Sequence, residues 1–148
     1  MKTVLSTILV LFMFCTLSVS ASATEENNRY NGKNIVIILS SGDDIQAGAG
    51  LVMAKMAMSN GAKVTVYVAA SAVKYATKDS FHRFAPKNTT HREMLEAVIE
   101  GGGTVNICGL CPSWLKLDND DFIKGTSFSS ALDVFDASFA ENTLTLTF

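Results

Sequence analysis

The chain has 148 residues, of which 48% are apolar, and its 12 basic and 14 acidic side chains give a formal net charge of −2. The charges are scattered and form no basic stripe, which argues against a nucleic-acid partner. Three cysteines are too few for a disulfide-rich scaffold.

The first residues have the features of a secretory signal peptide. The apolar run VLSTILVLFMFCTLSV follows Lys2 and leads to Ala21-Ser22-Ala23, an A-x-A cleavage signal. The run is too short for a comfortable transmembrane helix, and Cys15 within it lacks the small-residue box of a lipoprotein signal. We therefore predict a signal peptide over residues 1–23, with an uncleaved membrane anchor as the alternative.

Cleavage at this point would leave an exported protein, periplasmic or secreted, that no longer contacts a membrane. Residues 24–33 are polar and predict a flexible leader, and residues 34–148 predict one domain. Because the removed segment contains one lysine and no acidic residue, the mature net charge is about −3. The mature chain keeps only Cys108 and Cys111, in an oxidising compartment where they can pair.

The first half of the domain begins with a strand and a helix. Residues 35–39 are apolar on both faces, as in a buried parallel strand. The Ala- and Met-rich segment that follows predicts a helix that Asp43 or Asp44 can cap and that Asn60-Gly61 ends. Because only Lys55 interrupts its apolar middle, we expect this helix to be covered on more than one side.

The next segments repeat this alternation. Residues 64–68 predict a strand, SAVKYATKDS a short helix and FHRFAPKNT a loop. Thr90 and Glu93 form a capping box for a helix that GGG at 101–103 ends. We expect His82, on the loop, and His91, at the helix start, to be solvated.

The last third starts with TVNIC, a strand that ends in Cys108. LDNDDFIKG predicts a short helical piece capped by Asp118. SSALDVFDASFAEN predicts an amphipathic helix, and TLTLTF alternates like a half-covered strand near a sheet edge. The residues of that helix expected to face inward are Ala131, Leu132, Phe135 and Phe139.

Four strands alternating with helices in one small domain predict the α/β class with a largely parallel sheet and right-handed crossovers. Ligands of open α/β sheets bind outside the carboxyl ends of the strands, which is where Cys108 falls.

The Cys-x-x-Cys of Cys108 and Cys111 has several interpretations. It can be a disulfide, half a metal site, or a reactive thiol with a partner that resolves it. A buried, inert Cys108 is a further alternative. Gly109 lets another molecule approach the sulfur closely, and the second cysteine shifts the balance toward chemistry.

Other patterns around this motif are weaker. A zinc site usually needs four ligands, and only His82 and His91 are further soft candidates, so metal binding is disfavoured. A thioredoxin-like site fits poorly, because the motif comes late in the chain and Pro112 follows it directly. SSGDD lacks the spacing of a nucleotide-binding loop and is better explained by helix capping. Trp114 and the Phe81/Phe84 pair either line a pocket beside Cys108 or pack in the core.

Taken together, several segments resemble the DsrE/DsrF-like family, which includes TusD-like sulfur-relay subunits. They are NIVIILSSGDD, KVTVYVAASAV, AVIEGGGTVNICGLC, DDFIKGTSFSSALDVF and the terminal LTF. The similarity spans residues 34–148, and its most specific part is VNIC, the strand that ends in cysteine. The resemblance implies a three-layer α/β sandwich that assembles into a trimer or hexamer.

Several members of that family carry sulfur as a persulfide on the cysteine at this strand end, and the resemblance places this role on Cys108. The implied mechanism is thiolate attack on a sulfane-sulfur donor and delivery to an acceptor protein or small thiol, without an organic cofactor or metal. The presence of Cys111 is not what a simple sulfur carrier requires, because this second thiol can attack the persulfide, release sulfide and leave a disulfide. A thiol–disulfide redox protein and a non-catalytic oligomeric binding module remain the alternatives.

Overall fold

The computed structural model describes residues 28–148. The predicted signal peptide, 1–23, and residues 24–27 of the predicted leader lie outside the described residues. Residues 28–33 form turns next to the domain, and the Tyr30 N–H donates to the Asn60 carbonyl at 2.8 Å. Among the helices of this part of the chain, none has the length and apolar character needed to cross a bilayer.

The centre of the fold is a parallel sheet of five strands in the order β6-β5-β2-β1-β7. A separate two-residue hairpin, β3 and β4, lies in the segment predicted as a loop. Since the five strands run parallel, their carboxyl ends meet at one edge of the sheet. The strands are β1 (Asn34–Leu39), β2 (Lys63–Val68), β3 (Arg83–Phe84), β4 (Thr89–Thr90), β5 (Thr104–Cys108), β6 (Thr126–Ser129) and β7 (Thr143–Thr147).

The helices begin where the sequence places capping residues. Asp43 accepts from the first-turn amides of α1, Thr90 and Glu93 form the predicted capping box of α2, and Ser130 caps α4. The predicted helical piece after Asp118 is a single 3₁₀ turn. The helices are α1 (Asp44–Ser59), α2 (His91–Glu100), α3 (Cys111–Leu115) and α4 (Ala131–Phe139), and 3₁₀ segments occupy Ala70–Ala76, Ala85–Lys87 and Asn119–Asp121.

One face of the sheet is closely covered by α1 and α2, which also pack on each other. Small residues bring α1 close to the sheet: a Cβ added to Gly50 would lie 2.7 Å from the Leu39 side chain. Met53 and Met56 of α1 are 43% and 61% exposed, so the described residues leave this side of the helix uncovered. Coverage of that side by another subunit stays a prediction. The core of this face includes Ile37, Leu39, Leu51, Val64, Val66, Val68, Leu95, Val105 and Ile107.

Among the described residues, α4 is the one helix over the opposite face. This helix leads from β6 at one edge of the sheet to β7 at the other, and a right-handed crossover in that direction lies on the face opposite α1. Burial and the nearby Asp133 of α4 raise the pKa of Tyr67, a β2 residue of this face. Because helices lie on both faces of the sheet, the predicted three-layer α/β sandwich is confirmed.

Two sequence predictions about this region are wrong. Four strands were predicted, but the sheet has five. The additional strand, β6, has a single large apolar side chain, Phe128, among its four residues, which is too little to give a strand pattern. The second wrong prediction is the inward-facing side of α4, because no residue of this helix is buried. Leu132 is 69% and Phe139 is 86% exposed. One nine-residue helix cannot form a second closed layer over five strands, so its apolar side has no partner within the described chain.

Candidate functional site

The predicted cysteines meet at the carboxyl edge of the sheet. Cys108 is the last residue of β5 and Cys111 the first residue of α3, where the sequence predicted a turn. The two form a disulfide with their Cα atoms 5.4 Å apart, within the usual range for such a bridge. We call these two residues the cysteine pair. The Gly109 N–H donates to the Ser129 carbonyl at 3.0 Å, which holds the intervening turn against the end of β6.

The two sulfurs of the cysteine pair have different surroundings. Cys108 is half-buried, whereas Cys111 is only 3% exposed and belongs to the core cluster. The Ala70 N–H donates to the Cys111 sulfur at 3.3 Å. Of the two, Cys108 is therefore the more accessible to a nucleophile from solvent.

Ala70 is a functional candidate that sequence reasoning missed. Its φ is +48°, in the left-handed region that alanine rarely adopts because its Cβ crowds the following carbonyl. This strained residue, the first of the 3₁₀ segment after β2, supplies the one backbone hydrogen bond seen to the Cys111 sulfur among the described residues. Nothing in the sequence marks it, since an alanine after a strand carries no reactive group.

Exposed apolar side chains lie around the cysteine pair, with Leu110 between the two cysteines and Trp114 and Leu115 on α3. Leu110 is 69% and Trp114 is 74% exposed, and Leu115 is also exposed. The predicted Phe81/Phe84 pair belongs elsewhere: Phe81 stacks on His82 with ring centroids 5.2 Å apart, and Phe84 is buried.

A second group of polar residues, which we call the histidine cluster, consists of Asp44, Tyr75, His82 and His91. Its centre is His91, which is completely buried, so the expectation that His91 is solvated is wrong. Nδ1 lies 3.0 Å from the His82 carbonyl oxygen and Nε2 lies 2.8 Å from that of Asp44. The ring stacks on Tyr75 at 4.3 Å between centroids. His82 itself is half-buried at the rim of the cluster.

Asp44 and Tyr75 are coupled within the histidine cluster. The Tyr75 hydroxyl donates to Asp44 Oδ1 at 2.8 Å, and His82 Nδ1 lies 3.4 Å from the same oxygen. Partial burial raises the pKa of Asp44, but the Tyr75 hydroxyl and the nearby His82, His91 and Lys74 lower it further, so this pKa lies below its ordinary 3.8. Burial and the Asp44 carboxylate raise the pKa of Tyr75 above its ordinary 10.0.

The side chains present determine which chemistry the candidate site can carry out. Within residues 28–148, no three His, Cys, Asp or Glu side chains are grouped as ligands for a metal ion. In the SSGDD segment Asp43 is engaged in capping α1, as predicted. The cysteine pair is the group that can exchange covalent bonds, through a disulfide between a half-buried and a buried cysteine.

Comparison with known proteins agrees with this fold. The family model of the DsrE/DsrF-like family matches residues 33–145, a range that includes the cysteine pair. The ychN protein of E. coli has a similar structure, with a TM-score of 0.67 and 15% identity over 78% of this chain and 99% of that one. MTH1491 of Methanobacterium thermoautotrophicum, a protein of unknown function, gives a TM-score of 0.65 and 13% identity over the same shares.

At such identities the two structures show a common fold and no more. A search of curated proteins gives no match. The family model, however, covers well over half of the chain. The chain therefore belongs to the DsrE/DsrF-like family.

Proposed function

We propose that this chain is an exported protein that handles reactive sulfur, accepting sulfane sulfur as a persulfide on Cys108 and relaying it to an acceptor thiol. The observation that carries the proposal is the unequal cysteine pair at the end of β5, with Cys108 half-buried and Cys111 buried. Membership of the DsrE/DsrF-like family, several of whose members carry a persulfide at this strand end, supports it.

The transfer requires the cysteine pair in its reduced form, so a reducing thiol must first open the disulfide by exchange. The Cys108 thiolate then attacks the terminal sulfur of a donor persulfide, R–S–SH. A new S–S bond forms on Cys108, the donor bond breaks, and R–S⁻ leaves with the electron pair. In the second step an acceptor thiolate takes the same terminal sulfur and Cys108 leaves as thiolate, which restores the starting state.

Cys111 gives the loaded state a second outcome. Its thiolate attacks the Cys108 sulfur, the disulfide forms, and hydrosulfide departs with the terminal sulfur and its proton. Because the two Cα atoms are 5.4 Å apart, this reaction needs little movement of the chain. Cys111 therefore limits how long a persulfide survives on Cys108.

The location of the protein is part of the proposal. The predicted signal peptide directs it to the periplasm or outside the cell, where the partners are a sulfur donor or acceptor protein or a small thiol. A disulfide in the cysteine pair suits an oxidising compartment better than a reducing cytosol.

We also propose a homo-oligomer, a trimer or hexamer, as the working form. The exposed apolar side chains on α1, α4 and β7 support this, since soluble monomers seldom leave so many large apolar groups in water. They include Met53, Met56, Leu132, Phe135, Phe139 and Leu144. Sedimentation should show a mass of three or six chains, and a monomer at micromolar concentration would contradict the assembly without affecting the sulfur chemistry.

The test is the intact mass of the reduced protein after incubation with polysulfide. We expect a gain of sulfur atoms in wild type and in Cys111→Ser, where the persulfide should last longer, and no gain in Cys108→Ser. Ser113→Ala, which removes an exposed hydroxyl of α3, is the matched control and should behave as wild type. A gain that persists in Cys108→Ser, or no gain in any variant, would overturn the proposal.

A thiol–disulfide redox protein is the second candidate, and the disulfide in the structure favours it. It predicts that the protein cycles between dithiol and disulfide with a protein substrate and never gains sulfur. The same mass measurement separates the two functions, since oxidation removes two hydrogens and sulfur transfer adds sulfur.

A further inference from the structure

The disulfide of the cysteine pair joins two residues of unequal burial. Cys108 lies at the end of β5 and is half-buried, whereas the Cys111 side chain is enclosed among core residues. Thiol–disulfide exchange depends on which sulfur the nucleophile can reach. Attack from solvent is therefore directed to Cys108, and Cys111 becomes the leaving group.

The surroundings of Cys111 favour that role. As the S–S bond breaks, negative charge develops on the Cys111 sulfur, to which the Ala70 N–H already donates at 3.3 Å. A hydrogen bond to a charged acceptor is stronger than one to a neutral acceptor, so this contact tightens during the reaction. The left-handed backbone of Ala70 is strained, because its Cβ crowds the following carbonyl. Strain at a residue whose amide contacts the leaving sulfur is what a functional site often shows.

The approach to Cys108 suits a small nucleophile. Gly109 follows it without a side chain, but its amide is bonded to the Ser129 carbonyl, which holds the end of β6 alongside the turn. Exposed Leu110 adds apolar surface next to the same turn. Hydrosulfide, which has no substituent to place between these groups, meets the fewest obstacles.

We propose that the oxidised cysteine pair is a direct acceptor of hydrosulfide. HS⁻ attacks the Cys108 sulfur, the Cys108–Cys111 bond breaks, and a new S–S bond leaves a persulfide on Cys108 and a thiolate on Cys111. The hydrosulfide sulfur is oxidised, the Cys111 sulfur is reduced, and the proton stays on the terminal sulfur. The disulfide is the only oxidant that the step needs.

The inference rests on the proposed function, since its product is the same Cys108 persulfide, but it names a different sulfur source. A sulfane-sulfur donor loads the reduced protein, whereas hydrosulfide loads only the oxidised protein. The disulfide is then the form of the site that accepts sulfur, and it does not have to be reduced before use.

The experiment treats oxidised and pre-reduced protein with anaerobic sodium sulfide freed of polysulfide, followed by alkylation, intact mass and peptide mapping. Oxidised wild type should gain the mass of one H₂S, with the persulfide on Cys108 and an alkylated thiol on Cys111. Pre-reduced wild type should gain nothing. Oxidised Ser113→Ala, the matched control, should behave as wild type.

Cys111→Ser separates this inference from the proposed function. It has a thiol at Cys108 but no partner for a disulfide, so it should gain no sulfur from sulfide and still gain it from polysulfide. If polysulfide loads Cys108 but sulfide does not load oxidised wild type, the inference is overturned and the proposed function stands. A persulfide mapped to Cys111 would also overturn it, and a failure of both reagents would overturn both proposals.

Discussion

The histidine cluster and the cysteine pair lie at the same edge of one sheet, yet only the cysteine pair carries a covalent bond that can be exchanged. His91 is buried with both ring nitrogens near carbonyl oxygens, and the Tyr75 hydroxyl is bonded to Asp44. In the cysteine pair, Cys108 is only half-buried. Histidine, tyrosine and aspartate often take part in catalysis, but here their polar atoms are engaged with one another.

The difference shows what each region does for the molecule. His91 joins the start of α2 to the first residue of α1 and to the loop at His82, so the histidine cluster fixes the segment between β2 and α2. The cysteine pair joins residues only three apart, so it adds little to the tertiary structure. We expect changes in the histidine cluster to affect stability and changes in the cysteine pair to affect chemistry.

The largest effect on stability is expected for His91→Ala. The substitution leaves a cavity beside Tyr75 and removes the ring nitrogens from two buried carbonyl contacts, which should lower the free energy of unfolding by about 3 to 4 kcal/mol. Urea denaturation measures the loss. His82→Ala is the control, and because that side chain is partly exposed it should cost about 1 kcal/mol or less.

Sulfur uptake by His91→Ala and His82→Ala tests whether the histidine cluster takes part in the chemistry of the cysteine pair. Under conditions where each is folded, both should gain sulfur from polysulfide as wild type does. Loss of uptake in folded His82→Ala would show that the histidine cluster contributes to the chemistry, and the division between the two regions would then be wrong.

Reduction of the cysteine pair should have a smaller effect. The disulfide closes a loop of four residues, for which loop-closure entropy gives a stabilisation of about 2 kcal/mol. Urea denaturation with and without dithiothreitol measures the difference. If reduction destabilises the protein more than His91→Ala does, the cysteine pair has a structural role that the comparison does not assign to it.

Tyr75→Phe should cost about 1 kcal/mol or less, since it removes one hydrogen bond to the partly exposed Asp44 carboxylate. The variant should also raise the pKa of Asp44, which the Tyr75 hydroxyl lowers. A lowered pKa gives stability that is present above the ordinary value of 3.8 and is lost as pH falls through the folded-state value. In Tyr75→Phe this acid loss should therefore shrink, as denaturation at several pH values can show.

The smallest effect is expected at Glu93, in the capping box beside His91. The Thr90 backbone N–H, then the hydroxyls of Thr89 and Thr90, lower the pKa of Glu93 to about 2 from its ordinary 4.5. Its contribution to stability is present above pH 4.5 and disappears as pH falls toward about 2. Glu93→Gln should flatten the pH profile in that window, and an unchanged profile would assign the acid sensitivity to Asp44.

Much of the fold was predictable because it depends on local patterns. Apolar runs predicted β1, β2 and β5, and capping residues predicted the starts of α1 and α2. The position of Cys108 followed from the end of the third predicted strand. By contrast, β6 has one large apolar residue in four, and it becomes a strand because β5 offers an open edge.

The rest depends on contacts between distant parts of the chain. A histidine at a helix start ordinarily meets solvent, but the loop carrying His82 folds over His91 and buries it. The periodicity of α4 predicted an inward-facing apolar side, which is wrong because no local pattern could show that nothing within the described residues covers it. The Ala70 amide reaches Cys111 across 41 positions of sequence, and no local pattern encodes that contact.

The closeness of the two cysteines also sets an equilibrium between covalent states. If hydrosulfide opens the disulfide, the Cys111 thiolate stays beside the persulfide that it has just left, and closing the ring again is an intramolecular reaction at fixed effective concentration. The loaded fraction then rises with free hydrosulfide, as the occupancy of a binding site rises with its ligand. Such a protein measures ambient sulfide by mass action, and an acceptor withdraws sulfur from it only by reacting faster than the ring closes.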